Sequence, residues 1–313
     1  MKFVKYLRLI RVHQWIKNGF VFVPLLFSQH LFDLNYFLDA LSAFIVFCFA
    51  SSAIYVINDI IDVEADRAHP VKKNRPLPSG DISTVAALVT ASLMLVLVLW
   101  LMMYFDNEFI LFVIGFIVLN VLYSFWLKNI VLLDIFSIAA GFSIRVLAGA
   151  FAIQVPISSW LILTTMFISL FLGVMKRRSE LVLVSENSKQ NLKTGFIAAE
   201  NTYKNDKNGT QSRKVLREYS LNFADQMATI AAAGVIICYA LYSVAPRTVS
   251  IFQTESLIYT TPFVVFGIFR FMYLEYIGGK AENTTRLIAT DLYMIFDVIL
   301  YILVTIVIIY KLI

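Results

Sequence analysis

Cysteine and histidine are nearly missing from this 313-residue chain, which holds two Cys and three His. Cys48 and Cys238 each stand alone inside apolar runs, which excludes a disulfide framework and a thiolate metal site. His13, His30 and His69 are scattered, without metal-ligand spacing. No Ser-His-Asp set and no phosphate-cradling glycine loop occurs, so neither triad hydrolysis nor P-loop nucleotide binding is indicated. Charge is scarce too, with Asp, Glu, Lys and Arg making up 15% of the residues. The net charge of +5 is not a nucleic-acid signature, because the location of the bases matters more than their number. No nucleic-acid partner is expected.

Apolar residues take up the difference: the chain is 59% hydrophobic, with 27 Phe and 15 Tyr, and its mean hydropathy is +0.77. Runs of about 20 apolar residues recur, the length that crosses a bilayer's hydrocarbon core. The pattern predicts an all-α, polytopic membrane protein, a single domain over 1–313. Nine spans are expected, near 19–34, 36–57, 83–105, 108–126, 130–154, 158–175, 225–245, 258–276 and 289–310. The first is short and carries Pro24. Ahead of it, Lys2, Lys5, Arg8, Arg11 and Lys17 alternate with Phe3, Tyr6, Leu7, Ile10 and Trp15. That pattern predicts a basic interfacial helix over 1–18, resting on the lipid bilayer. No small-residue cleavage site follows the apolar run 20–32, so this segment is expected to stay in the mature chain.

Of the 26 Lys and Arg residues, 23 fall on the membrane side that holds the N-terminus; Arg247 and Lys311 lie opposite and Arg145 lies within a span. The positive-inside rule then sets the N-terminus in the cytosol and the C-terminus outside, in a multi-pass protein of the inner (cytoplasmic) membrane. The longest polar stretch, 185–213, reads as a mobile cytosolic loop.

The most charged stretch, 58–80, reads NDIIDVEADRAHPVKKNRPLPSG and follows the second span. On a continuing helix, Asp62 lies roughly 60° from Asp59, with Asp66 between them and Asn58 flanking. Glu64 points away. Three carboxylates on one stripe repel one another unless a cation neutralises them. Hard oxygen ligands in this number suit Mg²⁺, which binds through a few carboxylates plus substrate phosphates. Lys72, Lys73 and Arg75 follow at once, as a phosphorylated substrate would require. A solvated loop of mixed charge is the plain alternative, but loop charge has no reason to follow a helical stripe.

Three more clusters fall at the same membrane face. After span four comes YSFWLKNIVLLDIFSIAAGFSIRVLAG, with Tyr123 at its start, Lys128 at the interface and Asp134 about one turn into span five. Arg145, eleven residues on, returns to nearly the face of Asp134 and lies roughly 16 Å deeper. An Arg at that depth should face a cavity or a partner; an ion pair between helices is the structural alternative. MKRRSEL offers Lys176 and Arg177 to a phosphate, although bases ending an inward-facing span also serve topology alone. The fourth cluster, VLREYSLNFADQ, carries Arg217, Tyr219 and Asp225, or else simply anchors the interface. A transporter would instead show broken helices or ionisable groups at mid-membrane and related halves; only Arg145 answers to that, and no internal repeat is evident.

NDIIDVEADRAHP resembles the NDxxDxxxD motif of the UbiA superfamily of intramembrane prenyltransferases, and nine spans with that motif after the second agree with it. The superfamily's second motif offers a further pair of acids after span four. Here Asp134 stands alone, with Ile138 in the partner's place. The chain is more similar to the polyprenyl-phosphate phosphoribosyltransferase subfamily. RVHQWIKN, the HPxKxxRP tail, YSFWLKNIVLLDI, IRVLAGA, SLFLGVMKRRSEL and LREYS occur in its order. This resemblance implies a UbiA-type bundle with a cytosol-facing active site. It also implies Mg²⁺-dependent transfer of 5-phosphoribose from phosphoribosyl diphosphate to a polyprenyl phosphate, making a precursor for cell-envelope glycans. The alternative is an ordinary prenyltransferase, moving a prenyl group from its diphosphate to an aromatic or lipid acceptor. Under the first reading, Asp59, Asp62 and Asp66 hold Mg²⁺ on the diphosphate, supported by Asn58 and Asp134. Lys72, Arg75 and Lys128 face the diphosphate or the 5-phosphate. Lys176, Arg177 and Tyr219, with Tyr123 and Arg145, complete the substrate pocket, and Lys17 and Asn18 meet the lipid phosphate. A homo-oligomer is compatible with this reading.

Overall fold

The computed structural model describes residues 2–68, 72–193, 218–277 and 290–311. Among the described residues the ordered structure is helical, without strands. Among the described residues, eight helical segments are long and apolar enough to cross a membrane. They are α3 (Leu34–Ile61), α5 (Thr84–Met102), α6 (Asn107–Phe125), α7 (Leu133–Ala152), α8 (Ser159–Lys193), α9 (Leu221–Val244), α11 (Thr261–Tyr276) together with the 3-10 turn Ser256–Thr260 that leads into it, and α12 (Leu292–Tyr310). The short helices α1 (Lys2–Leu9), α2 (Val23–Leu26), α4 (Val63–Ala68) and α10 (Pro246–Phe252) fill in between. This is a multi-pass membrane protein. Its helix starts follow from capping residues that satisfy free N–H groups: Ser83 accepts from Ala86, Ser220 from Phe223 and Asp291 from Met294.

The first expected span takes a different form. α1 ends at Leu9, Arg11 adopts a left-handed backbone (φ 54°), and Val12–Phe22 then winds as a 3-10 helix running into α2. A continuous basic helix over 1–18 is therefore not what forms. The 3-10 helix rises about 2.0 Å per residue, so eleven residues reach about 22 Å and α2 adds about 6 Å, near the thickness of a bilayer core. The segment does run the length of the bundle. Arg11 bonds Asp59 at one end, while at the other Leu31 N–H donates to Tyr310 Oη and Gln29 to the Ile309 carbonyl.

Close approach of this segment to α7 depends on Gly149, where an added Cβ would run into the Val21 carbonyl oxygen. Because that neighbour is backbone, relief requires one element to move. Gly149→Ala is expected to cost about 1–3 kcal/mol, seen as a fall of several degrees in the unfolding temperature of detergent-solubilised protein.

Two cores hold the bundle. Phe47, Phe109, Phe116, Val46 and Ala148 pack α3, α6 and α7 together, with Val21 of the 3-10 segment among them. Phe171, Ala228, Val235, Ile268 and Phe271 do the same for α8, α9 and α11. α8 is 35 residues long, about 52 Å, so its C-terminal turns reach beyond any hydrocarbon core. The loop expected over 185–213 is thus helical as far as Lys193, and its remainder lies outside the described residues, as do His69 and Arg217.

Candidate active site

The C-terminal ends of α3, α6, α8 and α11 gather at one end of the bundle with the N-terminal ends of α5, α7, α9 and α12, and two charged clusters form there. The first surrounds two buried carboxylates, Asp59 and Asp66. Arg75 Nη1 lies 3.1 Å from Asp59 Oδ1 and 2.6 Å from Asp66 Oδ2, so one nitrogen bridges both acids. Arg11 Nη2 lies 2.5 Å from Asp59, and Lys72 Nζ 3.5 Å from Asp66. Nearby, Asn58 donates to Ser124 Oγ, joining α3 to α6.

The stripe of three acids is not assembled as the sequence predicts. α3 stops at Ile61, and Asp62 becomes the joint between α3 and α4, its side chain exposed. Its backbone still carries the ladder, since Asp62 N–H donates to Asn58 and its carbonyl accepts from Asp66 N–H. The joint turns Asp66 inward beside Asp59 and leaves Asp62 outside the pair. Among the described residues, no three His, Cys, Asp or Glu side chains converge into a group that would hold a metal unaided. Two clustered carboxylates nonetheless fit Mg²⁺, which keeps several waters and takes its remaining ligands from substrate phosphates. That a cationic nitrogen can bridge the two acids supports the fit.

The second cluster centres on Arg177, fully buried, as is Asp134. Arg177 Nε lies 2.5 Å from Asp134 Oδ2 and Nη1 2.5 Å from Glu180 Oε2, while Nη2 donates to Tyr123 Oη at 3.1 Å. Tyr219 Oη donates to the other Asp134 oxygen at 2.8 Å and accepts from Leu132 N–H at 2.8 Å. Burial, reinforced by the Asp134 carboxylate, raises the Tyr219 phenol above its ordinary pKa, so it remains a donor. Leu132, at φ 68°, takes a backbone that L side chains rarely adopt; the N–H bond to Tyr219 helps to hold it just ahead of α7. Both Asp134 oxygens are thus engaged.

Of the other expected residues, Lys128 sits half-buried in a 3-10 turn between α6 and α7, and Lys176 is exposed on α8. Asn18 is buried, donating to Cys48 Sγ and Ser51 Oγ and accepting from Arg145 Nε at 2.8 Å. Arg11 and Glu180 were not singled out as site residues from the sequence. Arg11 opens RVHQWIKN and Glu180 lies one helical turn beyond Arg177, so spacing would have found the second. A further group locks the same end of the bundle: Arg178 pairs with Asp225 at 2.7 Å and stacks 3.6 Å from the centroid of Tyr276, whose hydroxyl also bonds Asp225.

The fold has known counterparts. A solved structure described as a UbiA homolog from Archaeoglobus fulgidus bound to GPP and Mg²⁺ superposes with a TM-score of 0.65 at 18% identity, covering 97% of this chain and 99% of that one. In sequence, the chain is 33% identical over 241 residues to a decaprenyl-phosphate phosphoribosyltransferase of Mycolicibacterium smegmatis, spanning 76% of this chain and 69% of the relative. A protein of the same name from Mycobacterium tuberculosis is 31% identical over 241 residues, spanning 75% of this chain and 72% of that one. Residues 20–287 match the UbiA prenyltransferase family. With most of its length matched and its fold shared, this chain belongs to the UbiA prenyltransferase family.

Proposed function

We propose that this protein transfers a 5-phosphoribosyl group from 5-phosphoribosyl 1-diphosphate to a polyprenyl phosphate, at the cytosolic face of the membrane. The observation that carries this reading is the division of the acids. Asp134, the one acid of the second motif region, is consumed by Arg177 and Tyr219, which leaves the Asp59–Asp66 pair to serve a diphosphate. The relatives named for phosphoribosyl transfer support the same choice.

Asp59 and Asp66 would hold Mg²⁺, which when bound supplies charge neutralisation to the leaving diphosphate. Arg75, Lys72 and Arg11 line the same acids and are placed to meet phosphate oxygens. The acceptor is already anionic, so no general base is needed. An acceptor phosphate oxygen bonds to the anomeric carbon as the bond from that carbon to the diphosphate breaks, the electron pair leaving with diphosphate. Positive charge develops on the ribose ring in between, as in glycosyl transfer generally. Arg177, Asp134, Tyr123 and Tyr219 act as positioning residues, tying α6, α7 and α8 to the strained turn at Leu132.

Purified protein given Mg²⁺, phosphoribosyl diphosphate and a polyprenyl phosphate is expected to yield a lipid heavier by one phosphoribosyl group, seen by mass spectrometry and lost with EDTA. A parallel reaction supplies a prenyl diphosphate with aromatic acceptors. Prenylated product there, with no phosphoribosylated lipid, would replace this reading with ordinary prenyl transfer.

A further inference from the structure

One nitrogen of Arg75 holds the position between the two buried acids. Its Nη1 lies 3.1 Å from Asp59 Oδ1 and 2.6 Å from Asp66 Oδ2. A second cation drawn to both acids has to approach this nitrogen, and like charges repel strongly at such range away from water. The charge balance gives the same answer. Two carboxylates face three bases, Arg75, Arg11 and Lys72, so the cluster already carries one surplus positive charge. A divalent ion arriving alone would make a largely buried site more positive still. An ion that comes with a diphosphate brings the negative charge that offsets it.

We propose that Arg75 is an exchangeable occupant of the acid pair: it bars a free divalent cation, yields only to one that comes with a diphosphate, and transfers its guanidinium to that diphosphate. The inference rests on reading the acids as the metal holders, and it is independent of which group the enzyme transfers. The family resemblance sets Arg75 against substrate phosphates, whereas the structure sets it between the acids; one side chain serves both places by moving. The loop that carries it stays put. Leu77 is buried in one cluster with Leu9 and Val56, Ser79 N–H donates to the Arg75 carbonyl, and Ile82 N–H donates to the Pro76 carbonyl. Lys5 adds an ion pair to Asp81 at 2.5 Å. The Arg75 side chain itself is 33% exposed, so a released guanidinium swings toward solvent on its long stem. Arg11 is less suited to leave. It bonds only Asp59 of the pair and lies over the Tyr55 ring, 4.9 Å from its centroid.

The test titrates Mn²⁺ into the full-length protein in nanodiscs of zwitterionic lipid, without diphosphate, read by electron paramagnetic resonance with unfolding temperatures beside it. Wild type is compared with Arg75→Gln, Arg75→Lys and Arg67→Gln. Arg67 sits one residue past Asp66 but is exposed and bonds Glu64, so its loss removes the same charge without touching the pair. Arg75→Gln is expected to bind Mn²⁺ at least ~10-fold tighter than wild type. It should also unfold at a lower temperature, which Mn²⁺ restores, because the buried acids have lost their bridge. Arg75→Lys keeps the charge but loses the fork, so it is expected to gain less; it carries the test should Arg75→Gln fail to fold. Arg67→Gln should stay within about twofold of wild type, its charge being screened by solvent. Mn²⁺ affinity unchanged or weaker in both Arg75 variants overturns the exchange, and so does an equal gain in Arg67→Gln. Inorganic diphosphate, bound in the presence of Mg²⁺, should weaken ~10-fold in Arg75→Gln, and unchanged affinity overturns the transfer of Arg75 to diphosphate. If Mn²⁺ and diphosphate behave as expected while purified protein transfers no phosphoribosyl group, the exchange stands and the reaction reading fails.

Discussion

Asp66→Asn is expected to lower turnover on the order of 10³-fold, the scale on which removing one preorganised charge-stabilising group acts. The same change should weaken Mn²⁺ binding, followed by electron paramagnetic resonance in the presence of diphosphate. It should leave the unfolding temperature nearly unchanged. The reason lies in who loses a partner. Arg75 keeps Asp59, and Lys72 is partly exposed, so no buried charge is stranded. Turnover within a few-fold of wild type in Asp66→Asn would remove the carboxylate pair from the mechanism. A large fall in thermal stability would instead make the pair structural.

Arg177→Met should show the opposite balance. Its guanidinium is fully buried and joins Asp134, Glu180 and Tyr123, so truncation strands Asp134 in the interior. Removing one partner of a buried ion pair costs about 3–5 kcal/mol, which should appear as a large drop in unfolding temperature and in folded yield. Changing both partners, Arg177→Met with Asp134→Leu, is expected to recover much of that stability, because no charge is then left unpaired. Activity should not return, since Tyr219 and the Leu132 turn lose the carboxylate that organises them. Stability recovered together with full activity would reduce this cluster to packing.

Much of this was legible in the sequence for definite reasons. Apolar runs of about 20 residues have one low-energy form in lipid, so α3, α5, α6, α7, α9, α11 and α12 were predicted within a few residues of where they lie. The bases flanking them located the charged end, and the acids of 58–66 named the site. What escaped depends on tertiary contacts. α3 breaks at Asp62 and Asp66 turns in to Arg75, a tertiary contact that local propensity leaves open. That Arg177 turns inward to Asp134 while Arg178 faces Asp225 is a matter of helix rotation, which the dipeptide alone leaves open. The 3-10 segment Val12–Phe22 packs closely on Gly149, a contact invisible in either stretch alone.

That 3-10 segment also bears on how the protein is made. It leaves the ribosome ahead of α3 and α7, yet its backbone hydrogen bonds have poorer geometry than those of an α-helix. Its partners arrive in two instalments. Ser52, which bonds Trp15 and the Ile10 carbonyl, comes with α3, and Gly149 and Arg145 come only with α7. Until α7 is inserted the segment has only α3 to lean on, so it is started first and finished late. Because Asn18 accepts from Arg145 of α7, a half-synthesised chain holds its acids before this part of the segment is fixed. Truncation before α7 should therefore leave a protein that inserts α3 but cannot close its site.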